Sequence, residues 1–153
     1  MTYYEDVEIG STAELGSYTF TREEIIAFAE KFDPQPFHVD DEAAKRSHFG
    51  ALCASGWHTA ATWMKCLMAY QNRSNATDKP IRAAGASPGF RNMRWLKPVY
   101  AGDTITYVTE VTEKSVSRNK PEWGVVRSHN TGTNQHGELV FDFEGAVMMR
   151  RRP

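Results

Sequence analysis

The sequence predicts an α+β fold in which an antiparallel sheet curls around one buried helix. Helical patterns come first along the 153-residue chain and alternating strand patterns follow them, an order typical of this class. Between them, residues 56–71 would be small or apolar on almost every side of a helix. Such a helix, too short to span a bilayer, is expected to be buried inside its own protein. The length predicts a single domain over residues 1–153.

The first predicted elements are an extended lead-in over residues 1–20 and a helix that follows it. Thr21 and Glu24 form the capping-box pattern that starts a helix. The helix is expected to end at Asp33, because a residue that precedes a proline is disfavoured in the α region. Apolar residues recur between these limits at helical spacing, at Ile25, Phe28, Ala29 and Phe32.

A stiffened loop and a second, short helix are expected next. Two prolines fix their own backbone angles and should hold residues 33–39 as a loop. Asp40 fits the N-cap of a short helix through Arg46, and Gly50 fits the turn that closes it.

Beyond the central helix, the pattern changes from helical to strand-like. Residues 72–89 are polar and lack periodicity, which predicts a long loop. The alternation of apolar and polar residues then predicts strands at 90–98, 104–112, 123–130 and 139–149. A sheet that covers one face of a helix leaves the other face and the sheet edges uncovered, so a homodimer is expected.

Charge and composition argue against several classes of function. The 18 Lys and Arg residues nearly balance the 19 Asp and Glu residues, and a net charge of −1 argues against a nucleic-acid partner. The first twenty residues lack a signal-peptide pattern and no apolar run approaches 18 residues, so no membrane partner is expected. Cys53 and Cys66 are too few for a disulfide framework, which favours a cytoplasmic protein.

Asp33 and His38 are the candidate catalytic residues, within the segment Asp33-Pro34-Gln35-Pro36-Phe37-His38. A carboxylate and an imidazole five residues apart on a stiff loop suit general acid–base chemistry. Phe32 and Phe37 are expected to form an apolar wall that shifts both pKa values. The structural alternative is that the aspartate opens a turn and the histidine is a surface group.

A second candidate site is the start of the buried helix, at Ala54-Ser55-Gly56. The first amides of a helix lack intrahelical partners and carry partial positive charge, and a glycine allows a ligand to approach closely. These amides could bind the oxygen of a developing enolate. The alternative interpretation is an ordinary serine N-cap.

Three segments together resemble the MaoC-like dehydratases, which include the (R)-specific enoyl-CoA hydratases. Residues 33–38 are similar to the family's D-x-N-P-x-H loop, and residues 50–56, Gly-Ala-Leu-Cys-Ala-Ser-Gly, resemble its entry into the central helix. Residues 93–104, Met-Arg-Trp-Leu-Lys-Pro-Val-Tyr-Ala-Gly-Asp-Thr, are similar to its R-F-x-x-P-V-x-x-G-D-T signature. The segments occur in the family's order, with flanking elements of the expected type.

The resemblance implies a hotdog fold, a homodimer or higher homo-oligomer, and a lyase of fatty-acid metabolism. The implied substrate is an acyl thioester of coenzyme A or of an acyl carrier protein, with no separate cofactor. Water would add syn across an α,β-double bond, or leave it. Asp33 and His38 would be the acid–base pair, in an order that the resemblance leaves open, and the Gly56 backbone N–H would be an oxyanion donor.

Further substrate contacts are expected from Gln35, Phe37, Ser55 and Trp57. Gln35 stands where the family usually has Asn, and its amide is one methylene longer. The lengths of accepted acyl chains should depend on Trp57, Trp63, Met64 and the predicted loop.

Two other functions remain open at the level of the sequence. Hotdog folds also host acyl-CoA thioesterases, although the helix at 56–71 carries no carboxylate to act as base or nucleophile. A non-catalytic acyl-binding module is the third hypothesis, which the substitution at Gln35 favours and the intact Asp33 and His38 oppose.

Other polar clusters are weaker candidates. No metal site is predicted among the possible ligands His38, Asp40, Asp41, His48 and His58, because their spacing in the sequence matches no known metal-binding pattern. Two groups of basic residues could hold the phosphates of coenzyme A: Lys114, Arg118, Lys120 and Arg150–Arg152, or Arg82, Arg91 and Arg94. The alternative is that these side chains are solvated surface charges.

Overall fold

A computed structural model describes residues 2–75 and 85–153 and shows one antiparallel sheet packed on one long helix. The helices are α1 (Arg22–Phe32), α2 (Pro36–Val39), α3 (Asp41–Arg46) and α4 (Gly56–Asn75), preceded by a 3-10 turn at Tyr4–Asp6. The strands are β1 (Thr12–Thr19), β2 (Gly89–Trp95), β3 (Thr104–Val116), β4 (Trp123–Thr133) and β5 (Leu139–Arg150). Their order in the sheet is β1-β3-β4-β5-β2, with every pair antiparallel. The predicted α+β class is confirmed.

Local signals place the first helices as expected. The Thr21 hydroxyl accepts a hydrogen bond from the Glu24 amide at 3.3 Å, and α1 ends just before Asp33. The Asp40 carboxylate accepts from the Ala43 amide at 2.6 Å and caps α3. Both caps satisfy amides that have no partner within their helix.

The sheet holds α4 through a buried polar contact as well as through apolar packing. The Tyr107 side chain on β3 is fully buried, and its hydroxyl donates to the Thr59 carbonyl of α4 at 2.9 Å. The Thr62 hydroxyl lies 2.7 Å from the same phenol oxygen. The core around this contact includes Leu15, Phe20, Ile25, Leu52, Ile105, Val140, Phe141 and Phe143.

The burial of α4 differs from the prediction. The helix is apolar almost all round but is buried on one side only, since Trp57, Met64 and Met68 are 56%, 47% and 43% exposed. One curled sheet covers one face of a helix and leaves these residues on the other. Among the described residues, no helix is long and apolar enough to cross a membrane.

Several predicted boundaries were wrong. Within the predicted loop 33–39, Pro36–Val39 forms a helical turn, because a proline is compatible with the first position of a helix. Helix α4 continues to Asn75, inside the predicted loop 72–89, and residues 76–84 of that loop lie outside the described residues. Strand β3 runs beyond residue 112, because a register shift at Val111/Glu113 breaks the alternation without ending the strand.

Candidate active site

An open cavity of about 610 Å³ lies where α2, the start of α4 and the β2–β3 connection meet. The segment before α4 joins these parts, because the Cys53 amide donates to the Phe37 carbonyl at 3.3 Å and the Ala54 amide donates to the Val99 carbonyl at 2.8 Å. The lining residues are Asp33, Gln35, Phe37, His38, His48, Phe49, Cys53, Ala54, Gly56, Trp57, Thr59, Trp95, Leu96, Lys97, Pro98 and Val99.

Asp33 caps the end of α1, where its carboxylate is held by two side-chain donors. The Ser55 hydroxyl donates to Oδ2 at 2.6 Å, and the Gln35 amide donates to Oδ1 at 2.8 Å. Burial opposes ionisation, but these two hydrogen bonds and the neighbouring His38 outweigh it and lower the pKa of Asp33. The carboxylate is therefore ionised at neutral pH.

His38 lies on α2 and is 6% exposed. Its Nδ1 lies 2.6 Å from the Cys53 carbonyl oxygen. A carbonyl can only accept, so Nδ1 carries a proton and donates to Cys53, which leaves Nε2 as the ring nitrogen available for other contacts. That Nε2 lies 3.5 Å from Oδ2 of Asp33. The imidazole and the Phe37 ring pack in a T-shaped arrangement, with ring centroids 4.6 Å apart.

The Asp33–His38 pair can hold one water molecule. Oδ2 of the carboxylate is an acceptor, and Nε2 is the ring nitrogen that is not bonded to Cys53. A water molecule that reaches both atoms can form a hydrogen bond with each of them, which fixes the position of its oxygen. This arrangement suits removal of a proton from water and its later return.

The N-terminus of α4 contributes Gly56 to the lining of the cavity. Gly56 is the first residue of α4, so its amide has no acceptor within the helix. Ser55 is fully buried and is not among the lining residues; its hydroxyl accepts from the Trp57 amide at 3.3 Å while it donates to Asp33. Its contacts are thus with the aspartate and the helix end.

Some of the other residues predicted from the sequence line the cavity, and others do not. Gln35, Phe37 and Trp57 line it. The expected wall at Phe32 is wrong, because that side chain is 65% exposed at the end of α1 and packs on Phe28. The effect on Asp33 is also opposite to that of an apolar wall, since hydrogen bonds lower its pKa.

Sequence reasoning missed the wall that faces Asp33 from the β2–β3 connection. It consists of Trp95, Leu96, Lys97, Pro98 and Val99. The motif at residues 93–104 contains all five, yet its contacts with the start of α4, from Trp95 to the Gly56 carbonyl and from the Ala54 amide to the Val99 carbonyl, are tertiary and leave no local pattern. Trp63 and Met64, expected to shape the pocket, are not among its lining residues.

Cys53 lies at the floor of the cavity but is not an activated nucleophile. Its sulfur is 3.8 Å from Nδ1 of His38. Burial raises the pKa of the thiol to about 11, so it stays protonated at neutral pH.

Most of the basic residues considered for phosphate binding are engaged away from the cavity. Arg91 pairs with Glu144, Arg94 with Asp142, Arg151 with Glu5 and Arg152 with Asp6, while the Lys114 amine donates to the Val7 carbonyl. Arg82 lies outside the described residues. Lys97, which was not among the residues considered, is the one Lys or Arg side chain among the lining residues, and it pairs with Glu138.

The histidines and aspartates considered as metal ligands lie in separate surroundings. Asp40 caps α3, Asp41 accepts from Arg22, and His58 is enclosed by aromatic rings on the inner side of α4. Over residues 2–75 and 85–153, no three His, Cys, Asp or Glu side chains converge as a metal site would require.

Comparisons with known proteins agree on one family. The family model described as a MaoC like domain matches residues 6–133. An uncharacterized protein of Bacillus subtilis is 31% identical over 147 residues, which is 96% of this chain and 98% of that protein. The crystal structure of a MaoC-like dehydratase from Rhodospirillum rubrum is 34% identical with a TM-score of 0.84, and the match covers 100% of this chain and 99% of that one.

A relative with a named activity is more distant. It is a 3-hydroxybutyryl-CoA dehydratase from Methylorubrum extorquens, 26% identical over 151 residues that make up 98% of this chain and 85% of that protein. The structural match also identifies the sheet wrapped around α4 as the hotdog fold.

Proposed function

We propose, from the premise that this chain belongs to the MaoC-like domain family, that it adds water reversibly to an α,β-unsaturated acyl thioester. The observation that best supports this proposal is the 3.5 Å distance between Oδ2 of Asp33 and Nε2 of His38, in the cavity that Gly56 at the start of α4 also lines. Hydration next to a thioester requires an acid–base pair for the water and a donor for the enolate oxygen. Asp33, His38 and Gly56 all line the cavity, and we assign them these two roles.

In the hydration direction, a water held by Asp33 and His38 attacks C3 and gives a proton to one member of the pair. The π electrons of the double bond move toward the thioester carbonyl and form an enolate, whose oxygen accepts a hydrogen bond from the Gly56 N–H. A proton then passes from the pair to C2 on the same face. The net change is addition of H and OH, with the protein returned to its starting state.

The substrate class is proposed from the relatives and from the shape of the cavity. A relative is a 3-hydroxybutyryl-CoA dehydratase, whose name specifies a short hydroxyacyl thioester of coenzyme A. The cavity floor consists of the buried side chains of Cys53, Ala54, Thr59 and Val99. A floor of small side chains beside the acid–base pair favours a short acyl group, with the carrier at the open mouth.

A homodimer is proposed as the assembled form. Strand β2 lies at an edge of the sheet, and Phe90 on it is 59% exposed. The exposed side of α4 adds Trp57, Met64 and Met68. An open strand edge beside a large apolar patch is a surface that a second copy can cover.

An ultraviolet assay with crotonyl-CoA tests the proposed reaction. Hydration removes the conjugated double bond and its absorbance without releasing a thiol, and this is the expected result. Release of free coenzyme A, detected with a thiol reagent, would instead indicate a thioesterase. Binding of crotonyl-CoA and of longer and branched enoyl-CoA esters with no change in any of them would indicate a binding module.

A further inference from the structure

We infer that Trp95 is a positioning residue that holds the start of α4 in its working orientation, an inference that rests on the proposed function. Trp95 is the last residue of β2, and its indole Nε1–H donates to the Gly56 carbonyl at 2.8 Å. The side chain therefore joins the sheet to the first peptide group of α4, beside the amide proposed as oxyanion donor.

The indole also fixes which residue can begin the helix. A Cβ atom added at Gly56 would lie 2.5 Å from Cε2 and 2.6 Å from Nε1 of Trp95. Carbon atoms in contact are normally about 3.5–4.0 Å apart, so no side chain fits without displacing the ring. Gly56 is thus needed for the close approach of the indole.

The peptide group between Gly56 and Trp57 is held at both ends. Its carbonyl accepts from Trp95, and its N–H donates to the Ser55 hydroxyl at 3.3 Å. The same hydroxyl donates to Asp33 at 2.6 Å. A chain of hydrogen bonds therefore runs from the sheet through the helix end to the candidate acid–base pair.

Trp95 is itself anchored, although its side chain is partly open to solvent. It pairs with Phe141 of β5, and the next amide, that of Leu96, donates to the Val140 carbonyl at 2.8 Å. The edge of its ring meets Trp57 with centroids 5.2 Å apart. With 44% of its surface exposed, the indole could donate to water, and it donates to the helix end instead.

The corresponding position in the family signature quoted above is Phe, which offers a ring but no donor. Replacing the indole by phenyl therefore separates packing from hydrogen bonding. In Trp95→Phe we expect kcat for enoyl-CoA hydration to fall about 3- to 10-fold, the range for one neutral hydrogen bond. KM and the unfolding temperature should change little, whereas a residue with a purely structural role would lower the unfolding temperature and leave kcat unchanged.

Two further variants sharpen the comparison. Trp123→Phe makes the same chemical change at the start of β4, away from the cavity, and should leave kcat unchanged. Gly56→Ala should lose activity because of the clash with the indole, and adding Trp95→Ala to it should recover part of that loss by opening space for the methyl group.

Amide resonances provide a readout that does not need turnover. In a ¹⁵N-labelled protein, Trp95→Phe should shift the Gly56 and Trp57 amides and speed their exchange with solvent. Wild-type kcat in Trp95→Phe, or unchanged exchange of the Gly56 and Trp57 amides with solvent, would overturn the inference. If the wild-type protein hydrates no enoyl thioester, the proposed function fails, and the amide resonances still decide whether Trp95 holds the helix end.

Discussion

At Asp33, burial and hydrogen bonding act on the pKa in opposite directions, and hydrogen bonding is stronger. The donors are Ser55 and Gln35, with the imidazole of His38 nearby. An ionised aspartate that is already oriented needs no reorganisation when a water binds, which favours proton transfer at neutral pH.

Removing the Ser55 hydroxyl should therefore raise the pKa of Asp33. In Ser55→Ala we expect the acidic limb of the kcat/KM–pH profile to move to higher pH, since the ionised form loses a donor. Maximal kcat should fall roughly 10-fold, as expected for losing a hydrogen bond to a charged group. Ser11→Ala, which removes an exposed hydroxyl bonded to the Glu8 carbonyl, is the matched control. An unmoved acidic limb would contradict this assignment.

His58 is a buried titratable group that the proposed mechanism does not use. It is 5% exposed, stacks on Phe28 at 4.6 Å, and meets Phe20 edge-on at 4.8 Å. Burial, opposed by nearby Glu24 and reinforced by Lys65, lowers its pKa to about 4. The histidine is therefore neutral in the folded protein at neutral pH.

The unfolded protein should bind a proton at His58 near pH 6.5, well before the folded protein does. Protonation of His58 in the unfolded state should therefore lower the free energy of unfolding by about 3 kcal/mol as the pH drops from 7 to 4. In His58→Leu this part of the pH dependence should disappear. Urea unfolding at several pH values measures it, and equal pH dependence in both proteins would rule out the assignment.

Residue-level prediction from the sequence succeeded where the chemistry is local in the chain. Asp33 and His38 are five residues apart, and the structure brings their side chains within 3.5 Å. The wall at Trp95 depends on pairing between β2 and β5, which no local pattern encodes. Phe32 was misplaced because the direction of a side chain at a helix end is set by tertiary packing.

At the level of elements, α4 is positioned by a buried hydroxyl on the sheet. The phenol of Tyr107 reaches the Thr59 carbonyl and the Thr62 hydroxyl, so it fixes the position of the helix along the sheet. Its partners Thr59 and Thr62 are also buried. The Thr59 carbonyl keeps a second donor, because the Thr62 hydroxyl also bonds to it at 3.0 Å, so removing the phenol costs one buried hydrogen bond.

Tyr107→Phe should therefore lower the free energy of unfolding by about 0.5–1.5 kcal/mol, the net contribution of one hydrogen bond. Denaturant unfolding measures the change. Tyr3→Phe, outside the helix–sheet contact, should be nearly neutral. A loss below the experimental error in Tyr107→Phe would show that the phenol does not contribute to fixing α4.

The order and type of the elements were predictable because caps, prolines and alternation are local signals. Thr21 and Asp40 cap helices as expected. The ends of α4 and β3 were not predictable, because a polar last turn and a strand bulge both interrupt the patterns without ending the element. Tertiary pairing decides such boundaries.

At the level of the whole molecule, the exposed side of α4 predicts self-association. Wild-type protein should have twice the chain mass in light scattering. Met64→Glu combined with Met68→Glu should shift it toward monomer, because charges in an apolar interface are costly to bury. Ile9→Glu, at a residue 64% exposed, is the control and should leave the mass unchanged. A monomeric wild-type protein would contradict the proposed dimer.

The proposed mechanism requires that one ionised carboxylate, Asp33, and one imidazole, His38, share a water beside the first amide of α4. The decisive measurement is the rate of crotonyl-CoA hydration in Asp33→Asn and His38→Ala, with Asp41→Asn and His136→Ala as matched controls. We expect kcat/KM to fall at least ~10²-fold in each of the first two variants and to stay near wild type in the controls. Wild-type rates in Asp33→Asn or His38→Ala would show that the pair does not activate the water.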